Sequence, residues 1–160
     1  MKLSVGIITY NQQETIAQTL DSILCQQGDF ELEVVVGEDC STDNTWAICQ
    51  EYAERYPEQV VLLKNTHNLG IMANFARVMK ACTGEYVGIC AGDDYWCDEH
   101  KLQKQLDYFI AHPECGVCTT GGYRYLVRRD EMVEGLAPWN PIEDGDVSKH
   151  YFSKSYQGGV

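Results

Sequence analysis

Four short apolar runs, each rich in β-branched residues, alternate along the chain with segments whose apolar side chains recur at helical spacing. The apolar runs predict strands at 3–9, 32–37, 59–64 and 85–90. The helically spaced segments predict helices at 13–26, 45–56, 71–82 and 100–112. Strict alternation of strand and helix with short loops predicts an α/β fold of three layers, α/β/α, with a mostly parallel sheet and right-handed crossovers.

The pattern weakens after the last predicted helix. Residues 115–129 predict a strand or a hairpin that breaks at Gly121–Gly122. From about residue 128, proline, glycine and charged residues mix without a sustained period. A chain of 160 residues suffices for one domain with its own core, so we expect an α/β domain over residues 1–127 and an irregular segment over residues 128–160.

Acidic residues outnumber basic ones by 24 to 12, which gives a formal net charge of −12. This balance disfavours nucleic-acid binding, which needs a basic surface, and an anionic ligand would need a divalent cation or backbone N–H groups. No stretch approaches the roughly 18 apolar residues of a membrane span. The N-terminal apolar run is short and lacks a small-residue cleavage site, so we expect no signal peptide and a cytoplasmic protein.

The eight cysteines lie mostly within predicted strands and helices, and we expect them to be reduced and mostly buried. One subset, Cys97-x-x-His100 with Cys115-x-x-Cys118, has the pair spacing of a zinc site. The competing interpretation places Cys97 before a helix and the other two cysteines on a strand, where residues three apart point to opposite faces. We favour this second interpretation.

Polar clusters follow three of the predicted strands, at residues 9–11 (TYN), 38–43 (EDCSTD) and 92–96 (GDDYW). Because ligands of open α/β sheets bind outside the carboxyl ends of the strands, we expect the three clusters to converge on one crevice.

Each cluster also has an ordinary structural explanation. Two adjacent carboxylates such as Asp93 and Asp94 can hold Mg²⁺ or Mn²⁺ through oxygen, but they more often cap a helix or face water. Asp39 is an ordinary turn residue, and Tyr10 could be either a hydrophobic wall or a stacking platform for a base. The arrangement of the clusters is therefore more informative than any one of them.

Four segments resemble, in order and spacing, the family 2 glycosyltransferases with the GT-A fold. They are residues 4–26 (SVGIITYNQQETIAQTLDSILCQ), 34–45 (VVVGEDCSTDNT), 68–87 (NLGIMANFARVMKACTGEYV) and 90–105 (CAGDDYWCDEHKLQKQ). The resemblance extends over about residues 3–112. It implies a site for the nucleoside of a nucleotide-sugar donor, formed by Thr9, Tyr10, Asn11, Glu14, Glu38 and Asp39. It also implies that the family's Asp-x-Asp element, here Asp93 and Asp94, holds Mn²⁺ or Mg²⁺ on the donor diphosphate.

The chain departs from the family pattern at both acidic clusters. Ala91 stands where the family commonly has a further Asp two positions before Asp93, so we expect Asp93 to be the main ligand and Asp94 its helper. Residues 38–41 read Glu-Asp-Cys-Ser, where the family usually has Asp-Asp-Gly-Ser.

A third departure lies in the predicted helix at 71–82. Residues 75–76 are Phe-Ala, where many members of the family have an Arg-Asn pair. Asn74 and Arg77 either substitute for that pair, or Asn74 instead satisfies hydrogen bonds within its own helix. On the first alternative, Asn74 joins the nucleoside site.

The resemblance implies a metal-dependent, inverting enzyme that moves a hexose-type sugar from a nucleotide-diphosphate donor to an acceptor hydroxyl. We expect a UDP- or dTDP-sugar donor and a glycan or lipid-linked acceptor in surface-polysaccharide synthesis, at the inner face of the cell membrane. The general base of such enzymes lies well beyond the Asp-x-Asp element, and the acidic residues of 142–146 (IEDGD) are expected in a loop. We therefore expect a truncated chain in which residues 128–160 begin the acceptor side and the general base is outside.

Three other functions are alternatives. The first is a nucleotide-sugar-binding module that does not catalyse transfer. The second is a receiver-like signalling domain that binds Mg²⁺, but such a domain needs its acidic pair after the first strand, where this chain has TYN. The third is a sugar-phosphate nucleotidyltransferase, which needs a glycine-rich phosphate loop that is absent from the N-terminal GIITYNQQE.

Overall fold

The computed structural model describes residues 1–120 and, beyond them, the backbone of residues 123–126 and 131–134. The elements, in chain order, are β1 (Lys2–Thr9), α1 (Ile16–Leu24), β2 (Glu31–Glu38), α2 (Thr45–Arg55), β3 (Val60–Lys64), α3 (Ile71–Ala81), β4 (Tyr86–Ala91), α4 (Lys101–Ala111), β5 (Tyr123–Leu126) and β6 (Glu131–Glu134). The first eight correspond to the four predicted strands and four predicted helices. In this described part of the chain, no helix is long and apolar enough to span a membrane.

The first four strands form one parallel sheet in the order β3-β2-β1-β4. Val5 on β1 pairs with Val34 on β2 and with Gly88 on β4, and Val34 pairs with Val60 on β3. Each consecutive pair of strands is joined by a helix, because parallel neighbours cannot be joined by a tight turn. The predicted mostly parallel α/β sheet is confirmed.

The core lies between one face of this sheet and helices α1, α2 and α4. Its fully buried strand residues are Val5, Ile7, Val34 and Val36, and its helical residues include Ile16, Leu20, Ile23, Cys49 and Leu102. These strand residues alternate along β1 and β2 because successive side chains point to opposite faces. Helices on one face therefore bury the odd-numbered positions of β1 and the even-numbered positions of β2.

Helix α3 covers the other face of β1 and β2, over two glycines. A Cβ on Gly6 would lie 2.9 Å from Val78 Cγ1, and one on Gly37 would lie 2.4 Å from Val78 Cγ2. Real side chains do not tolerate such distances, so the helix can lie this close only because both strand positions lack a side chain. The sheet thus has helices on both faces, which gives the three predicted layers.

The chain divides into two compact units, residues 1–116 and 117–160. In the second unit, β5 and β6 form an antiparallel pair in which Tyr123 lies opposite Glu134. Residues 115–120 have no regular structure, so the first half of the strand or hairpin predicted at 115–129 is wrong, whereas β5 lies within its second half. Gly121–Gly122 and residues 142–146 lie outside the described residues, and the predicted domain boundary at 127 stays a prediction.

The cysteines are less buried than predicted. Cys49 and Cys90 are buried and lie inside an element, whereas Cys25 and Cys97 are exposed, and the remaining four are half-buried. Helices α1 and α3 end at Leu24 and Ala81, just before Cys25 and Cys82, and Cys115 and Cys118 lie in a segment without regular structure. Cys40 and Cys97 lie in the loops after β2 and β4. The interpretation that placed Cys115 and Cys118 on a strand is therefore wrong in its geometry.

A buried carboxylate, that of Glu33, forms a hydrogen-bond network at the edge of the sheet where the parallel strands begin. Glu33 on β2 is 7% exposed and accepts hydrogen bonds from Lys2 Nζ (2.6 Å), from the Thr83 backbone N–H (2.8 Å) and hydroxyl (2.7 Å), and from the Ser4 hydroxyl. Ser4 Oγ in turn accepts a bond from the Gly84 N–H at 2.7 Å. Burial alone would raise the pKa of Glu33, but the bonds from Lys2, Ser4 and Thr83 outweigh it and lower the pKa to about 2.

We expect the stability of the chain to fall in acid through Glu33. Because its folded pKa of about 2 lies below the ordinary pKa of 4.5, its contribution is complete above pH 4.5 and is lost as the pH falls toward 2. The difference corresponds to about 3 kcal/mol at neutral pH. Urea unfolding at pH 7 should show that Glu33→Gln lowers the free energy of unfolding by about 2–3 kcal/mol, with a flatter acid dependence below pH 4.5.

The matched control is Glu31→Gln, which changes an exposed carboxylate on the same strand. It should alter the free energy of unfolding by less than about 0.5 kcal/mol. Equal effects of the two substitutions would contradict the role assigned to Glu33.

Candidate functional site

The three polar clusters meet at the carboxyl edge of the sheet, because β2, β1 and β4 are neighbours. The hydrogen-bonded ladder continues one residue beyond the strands. The Asp39 N–H donates to Thr9 O (3.0 Å), and the Gly92 N–H donates to Ile8 O (3.2 Å). Thr9 therefore lies between the loops that carry Asp39 and Asp93, and the predicted convergence of the clusters is observed.

The loop after β1 is joined to the loop after β2. Asn11 accepts a hydrogen bond from the Thr42 N–H through its side-chain Oδ1 (2.8 Å), and its own N–H donates to Ser41 Oγ (3.0 Å). Its φ of 52° lies in the left-handed region, which Asn tolerates better than most residues. Tyr10 is 44% exposed beside it, and Glu14 is exposed. Asn11 thus shapes the loops, whereas Tyr10 presents its ring to solvent.

Glu38 shapes the turn after β2. Its side chain is 1% exposed and accepts hydrogen bonds from the backbone N–H groups of Cys40 (3.2 Å) and Ser41 (2.6 Å). Cys40 has a φ of 61°, a conformation that glycine adopts without strain and other residues adopt at a cost. The cysteine that replaces the family's usual glycine is thus held in a left-handed conformation, with its N–H bonded to the Glu38 carboxylate.

Asp39 organises the segment that leads from β3 into α3. It is 3% exposed, and its Oδ1 accepts hydrogen bonds from Asn65 Nδ2 (2.7 Å) and the Leu69 N–H (2.8 Å), while Oδ2 accepts one from the Gly70 N–H (2.9 Å). Gly70 is the N-cap of α3 and has a φ of 80°, which favours glycine. Each carboxylate oxygen accepts two bonds, so Oδ2 retains one acceptor position.

Two further side chains complete this buried network. Asn74, 2% exposed on α3, donates from Nδ2 to Gly37 O (2.8 Å), and its Oδ1 accepts a bond from Asn65 Nδ2 (3.1 Å). Arg77 donates to Asn65 Oδ1, so the Asn65 side chain links the positive charge of Arg77 to the Asp39 carboxylate. The hydrogen-bond partners of the Asn74 side chain, Gly37 O and Asn65, thus lie outside its own helix, which contradicts the alternative of bonding within it.

Asn65 is the member of this network that the sequence analysis missed. Its signal is its position: it directly follows β3, at the same edge of the sheet as the other clusters. Its amide joins the carboxylate of Asp39 to both Asn74 and Arg77.

The acidic turn after β4 is held by a glycine that has no room for a side chain. A Cβ on Gly92 would lie 2.3 Å from Gln12 Oε1 and 2.9 Å from Thr9 Oγ1. The Asp94 N–H donates to Ala91 O (3.1 Å), which closes the turn, and Ala91 itself is the last residue of β4. Gly92 therefore sets the two exposed aspartates directly beside the end of β1.

The electrostatics of this turn suit a cation. Partial burial and, after it, the negative charge of Asp93 raise the pKa of Asp94 above its ordinary value. A divalent cation would relieve this repulsion, and two carboxylates offer the hard oxygen ligands that Mn²⁺ and Mg²⁺ prefer. Thr9 Oγ1 is buried beside Gly92 without a hydrogen-bond partner, so one unpaired oxygen lies next to the acidic turn. The residues therefore fit a metal that is completed by phosphate oxygens and water.

The structure does not assemble a metal site from protein ligands alone. Among residues 1–120, no group of three or more His, Cys, Asp or Glu side chains is placed to hold a metal ion. Cys97, His100, Cys115 and Cys118 all belong to this part of the chain, so they are not brought together as a zinc site.

Comparison with known proteins identifies relatives that match the part of the chain containing the four-stranded sheet. A family model described as "Glycosyl transferase family 2" matches residues 4–151. An uncharacterized protein of Mycobacterium tuberculosis is 45% identical over 116 residues, which are 72% of this chain and 34% of that protein. The chain thus spans about a third of the length of this relative.

Two solved structures are similar to this chain in fold. The TarS protein of S. aureus in complex with UDP-GlcNAc matches with a TM-score of 0.61 and 29% identity, over 71% of this chain and 32% of that one. The mannosyltransferase PcManGT of Pyrobaculum calidifontis, in complex with GDP-Man and Mn²⁺, matches with a TM-score of 0.62 and 27% identity, over 75% of this chain and 34% of that one. The predicted fold class, a three-layer α/β/α fold of the GT-A type, is confirmed.

We expect Asn74→Leu to destabilise the chain, because it leaves Gly37 O and the Asn65 amide without their buried partner. Urea unfolding should show a loss of about 2–3 kcal/mol, the usual cost of buried polar groups left unsatisfied. The same substitution at the exposed Asn44, whose side chain makes no capping bond, should cost less than about 0.5 kcal/mol. Equal losses at the two positions would refute the network.

Proposed function

The chain belongs to glycosyl transferase family 2, and we propose that it binds a nucleotide-diphosphate sugar whose sugar is transferred to an acceptor hydroxyl. The observation that carries this proposal is the meeting of Thr9, Asp39 and the Asp93–Asp94 turn at one edge of the sheet. Two structural neighbours of this sheet were solved with nucleotide sugars, one of them with Mn²⁺ as well.

The nucleoside would bind between the loops after β1 and β2. The exposed ring of Tyr10 offers a stacking surface for the base, and the remaining acceptor position on Asp39 Oδ2 suits a pyrimidine N–H. We therefore favour a UDP- or dTDP-type donor. In this assignment Tyr10 and Asp39 contact the base, while Asn11, Glu38 and Asn74 hold the loops that present them.

The remaining two residues of the predicted nucleoside site have lesser roles. Thr9 carries a buried hydroxyl without a partner beside the acidic turn, and we assign it to the diphosphate rather than to the base. The Glu14 side chain is exposed and bonds to Gln13 Nε2 (3.0 Å). We assign it to the rim of the site.

Asp93 and Asp94 would hold Mn²⁺ or Mg²⁺ against the diphosphate. When bound, such a cation neutralises the charge that develops on the departing nucleoside diphosphate. The protein's part is to hold the two carboxylates at a fixed distance from the nucleoside loops, which Gly92 and the end of β1 achieve. The missing leading Asp, here Ala91, leaves Asp93 as the first ligand.

The transfer itself is proposed to be inverting, with a carboxylate general base that is not among the residues assigned here. The acceptor would be a glycan or a lipid-linked sugar in polysaccharide synthesis at the cytoplasmic face of the membrane. A nucleotide-sugar-binding module without transfer is the second candidate, since the chain spans about a third of the length of the Mycobacterium tuberculosis relative and of the TarS structure. Release of UDP from a UDP-sugar by this chain, compared with that by a longer relative, separates the two.

We expect UDP with Mn²⁺ to raise the melting temperature by about 5 °C or more when UDP is at a hundred times its dissociation constant. Asp93→Ala should abolish the part of this shift that requires Mn²⁺, because the first carboxylate ligand is lost. Asp107→Ala, which changes an exposed carboxylate on α4, should retain it. If no nucleoside diphosphate in a panel shifts the melting temperature with metal, the donor-site assignment fails.

We expect Tyr10→Ala to weaken UDP binding about tenfold, because the base loses its stacking partner. Tyr10→Phe keeps the ring and should bind UDP within about twofold of the original chain. Since Tyr10 is exposed, neither change should lower the melting temperature of the ligand-free chain appreciably. Isothermal titration calorimetry of the three proteins provides the comparison, and equal affinities would exclude Tyr10 from the site.

A further inference from the structure

A stripe of polar side chains runs along α1 on the side that meets the loop between β4 and α4. Its members are Thr15, Thr19, Ser22 and Gln26, which we call the α1 polar stripe. Spacings of four, three and four residues place them on one side of the helix and its immediate extension. Polar residues at such positions are ordinarily expected to face water. Here Thr19 is 1%, Ser22 8% and Gln26 9% exposed, so their polar groups need partners within the protein.

The amino-terminal half of the stripe holds the residue before the two aspartates. The hydroxyls of Thr15 and Thr19 both donate to Gly92 O, at 2.9 Å and 3.1 Å. On its other side, Gly92 donates its N–H to Ile8 O. The residue that precedes Asp93 is therefore fixed by hydrogen bonds to both β1 and the α1 polar stripe.

The carboxyl-terminal half of the stripe holds the residues that follow the aspartates. Ser22 Oγ accepts a bond from the Trp96 N–H (3.0 Å), and its hydroxyl donates to Thr19 O (2.8 Å), so its orientation is fixed. Gln26 donates from Nε2 to Asp98 O (2.7 Å) and accepts at Oε1 from the Leu102 N–H (3.0 Å). These bonds hold the loop after β4 against α1, up to the first turn of α4.

The bonds therefore fall on both sides of Asp93 and Asp94, at residues 92 and 96. Two adjacent exposed carboxylates repel each other, and a loop without such anchors would let them move apart. Anchors on both sides limit that movement and preserve a spacing that suits one cation, as partners of metal ligands do in other sites.

We propose that the α1 polar stripe positions Asp93 and Asp94 for the divalent cation that accompanies the donor diphosphate. This inference rests on the proposed function, because it presupposes a metal at the two aspartates. The stripe residues act as positioning residues and contact neither the cation nor the nucleotide. Loss of a stripe hydroxyl should weaken metal binding and leave the nucleoside loops, which lie after β1 and β2, unaffected.

The test compares UDP binding with EDTA and with saturating Mn²⁺, by calorimetry, and measures Mn²⁺ affinity in the UDP complex by electron paramagnetic resonance. Ser22→Ala and the double variant Thr15→Val/Thr19→Val should bind UDP in EDTA within about twofold of the original chain. Their Mn²⁺ affinity in the UDP complex should fall about tenfold, the size seen when outer partners of metal ligands are removed. Thr15→Ser/Thr19→Ser retains both hydroxyls and should restore it.

Ser4→Ala is the matched control for a purely structural effect. It removes a buried serine hydroxyl that bonds to Glu33 and Gly84 at the opposite edge of the sheet. It should lower the melting temperature and leave Mn²⁺ affinity unchanged. If Ser22→Ala and the double valine variant fold and bind Mn²⁺ as tightly as the original chain, the inference is overturned while the metal site stands.

A different result would overturn both claims. If the original chain binds UDP equally well in EDTA and in Mn²⁺, the metal assignment fails, and the role of the stripe fails with it. Should the double valine variant not fold, Ser22→Ala alone decides the question, because it removes one hydroxyl and leaves the bonds to Gly92 O in place.

Discussion

The close approach of α3 to β1 and β2 is the constraint on which the proposed nucleoside side of the site depends. A Cβ on Gly37 would lie 2.6 Å from Asn74 Oδ1 as well as against Val78, so only glycine lets the helix reach this depth. At this depth the Asn74 amide bonds to the backbone of β2 and to Asn65, and Asn65 bonds to Asp39. A glycine in a strand thus determines where a buried carboxylate and the start of α3 lie.

The acidic side chains of the site fall into two kinds. Glu38 and Asp39 are buried and their oxygens accept backbone and amide hydrogen bonds, so they fold the loops and are stabilised by them. The Asp93 and Asp94 residues are exposed, and partial desolvation of the Asp94 carboxyl, followed by the charge of Asp93, raises the pKa of Asp94. Carboxylates of the second kind are the ones that gain from a cation. The same residue type therefore has opposite roles at neighbouring strand ends.

The elements and the meeting of the three polar clusters at one edge of the sheet could be predicted from the sequence, because hydrophobic periodicity and the strand-end rule are local or topological signals. What the sequence did not reveal depends on pairings between distant residues. Asn65 looks like any loop residue until α3 brings Asn74 and Arg77 to it. Similarly, the polar residues Thr19 and Ser22 would be expected on the solvent-facing side of α1 from the sequence alone. In the structure, the loop after β4 covers them. The cysteine predictions failed because α1 and α3 end just before Cys25 and Cys82 and because no strand forms at residues 115–120.

The charge balance explains why an anionic donor would need the acidic turn. With 24 acidic and 12 basic residues, the chain as a whole repels a diphosphate. Several described basic side chains have partners in the protein: Lys2 pairs with Glu33, Arg77 bonds to Asn65, and Lys64 lies over the ring of Trp46. In the proposed function, positive charge at the diphosphate would come from an ion that the acidic turn attracts. Two repelling carboxylates beside the nucleoside loops provide that attraction, so a negative net charge favours a cation-bridged donor over direct contacts to lysine or arginine.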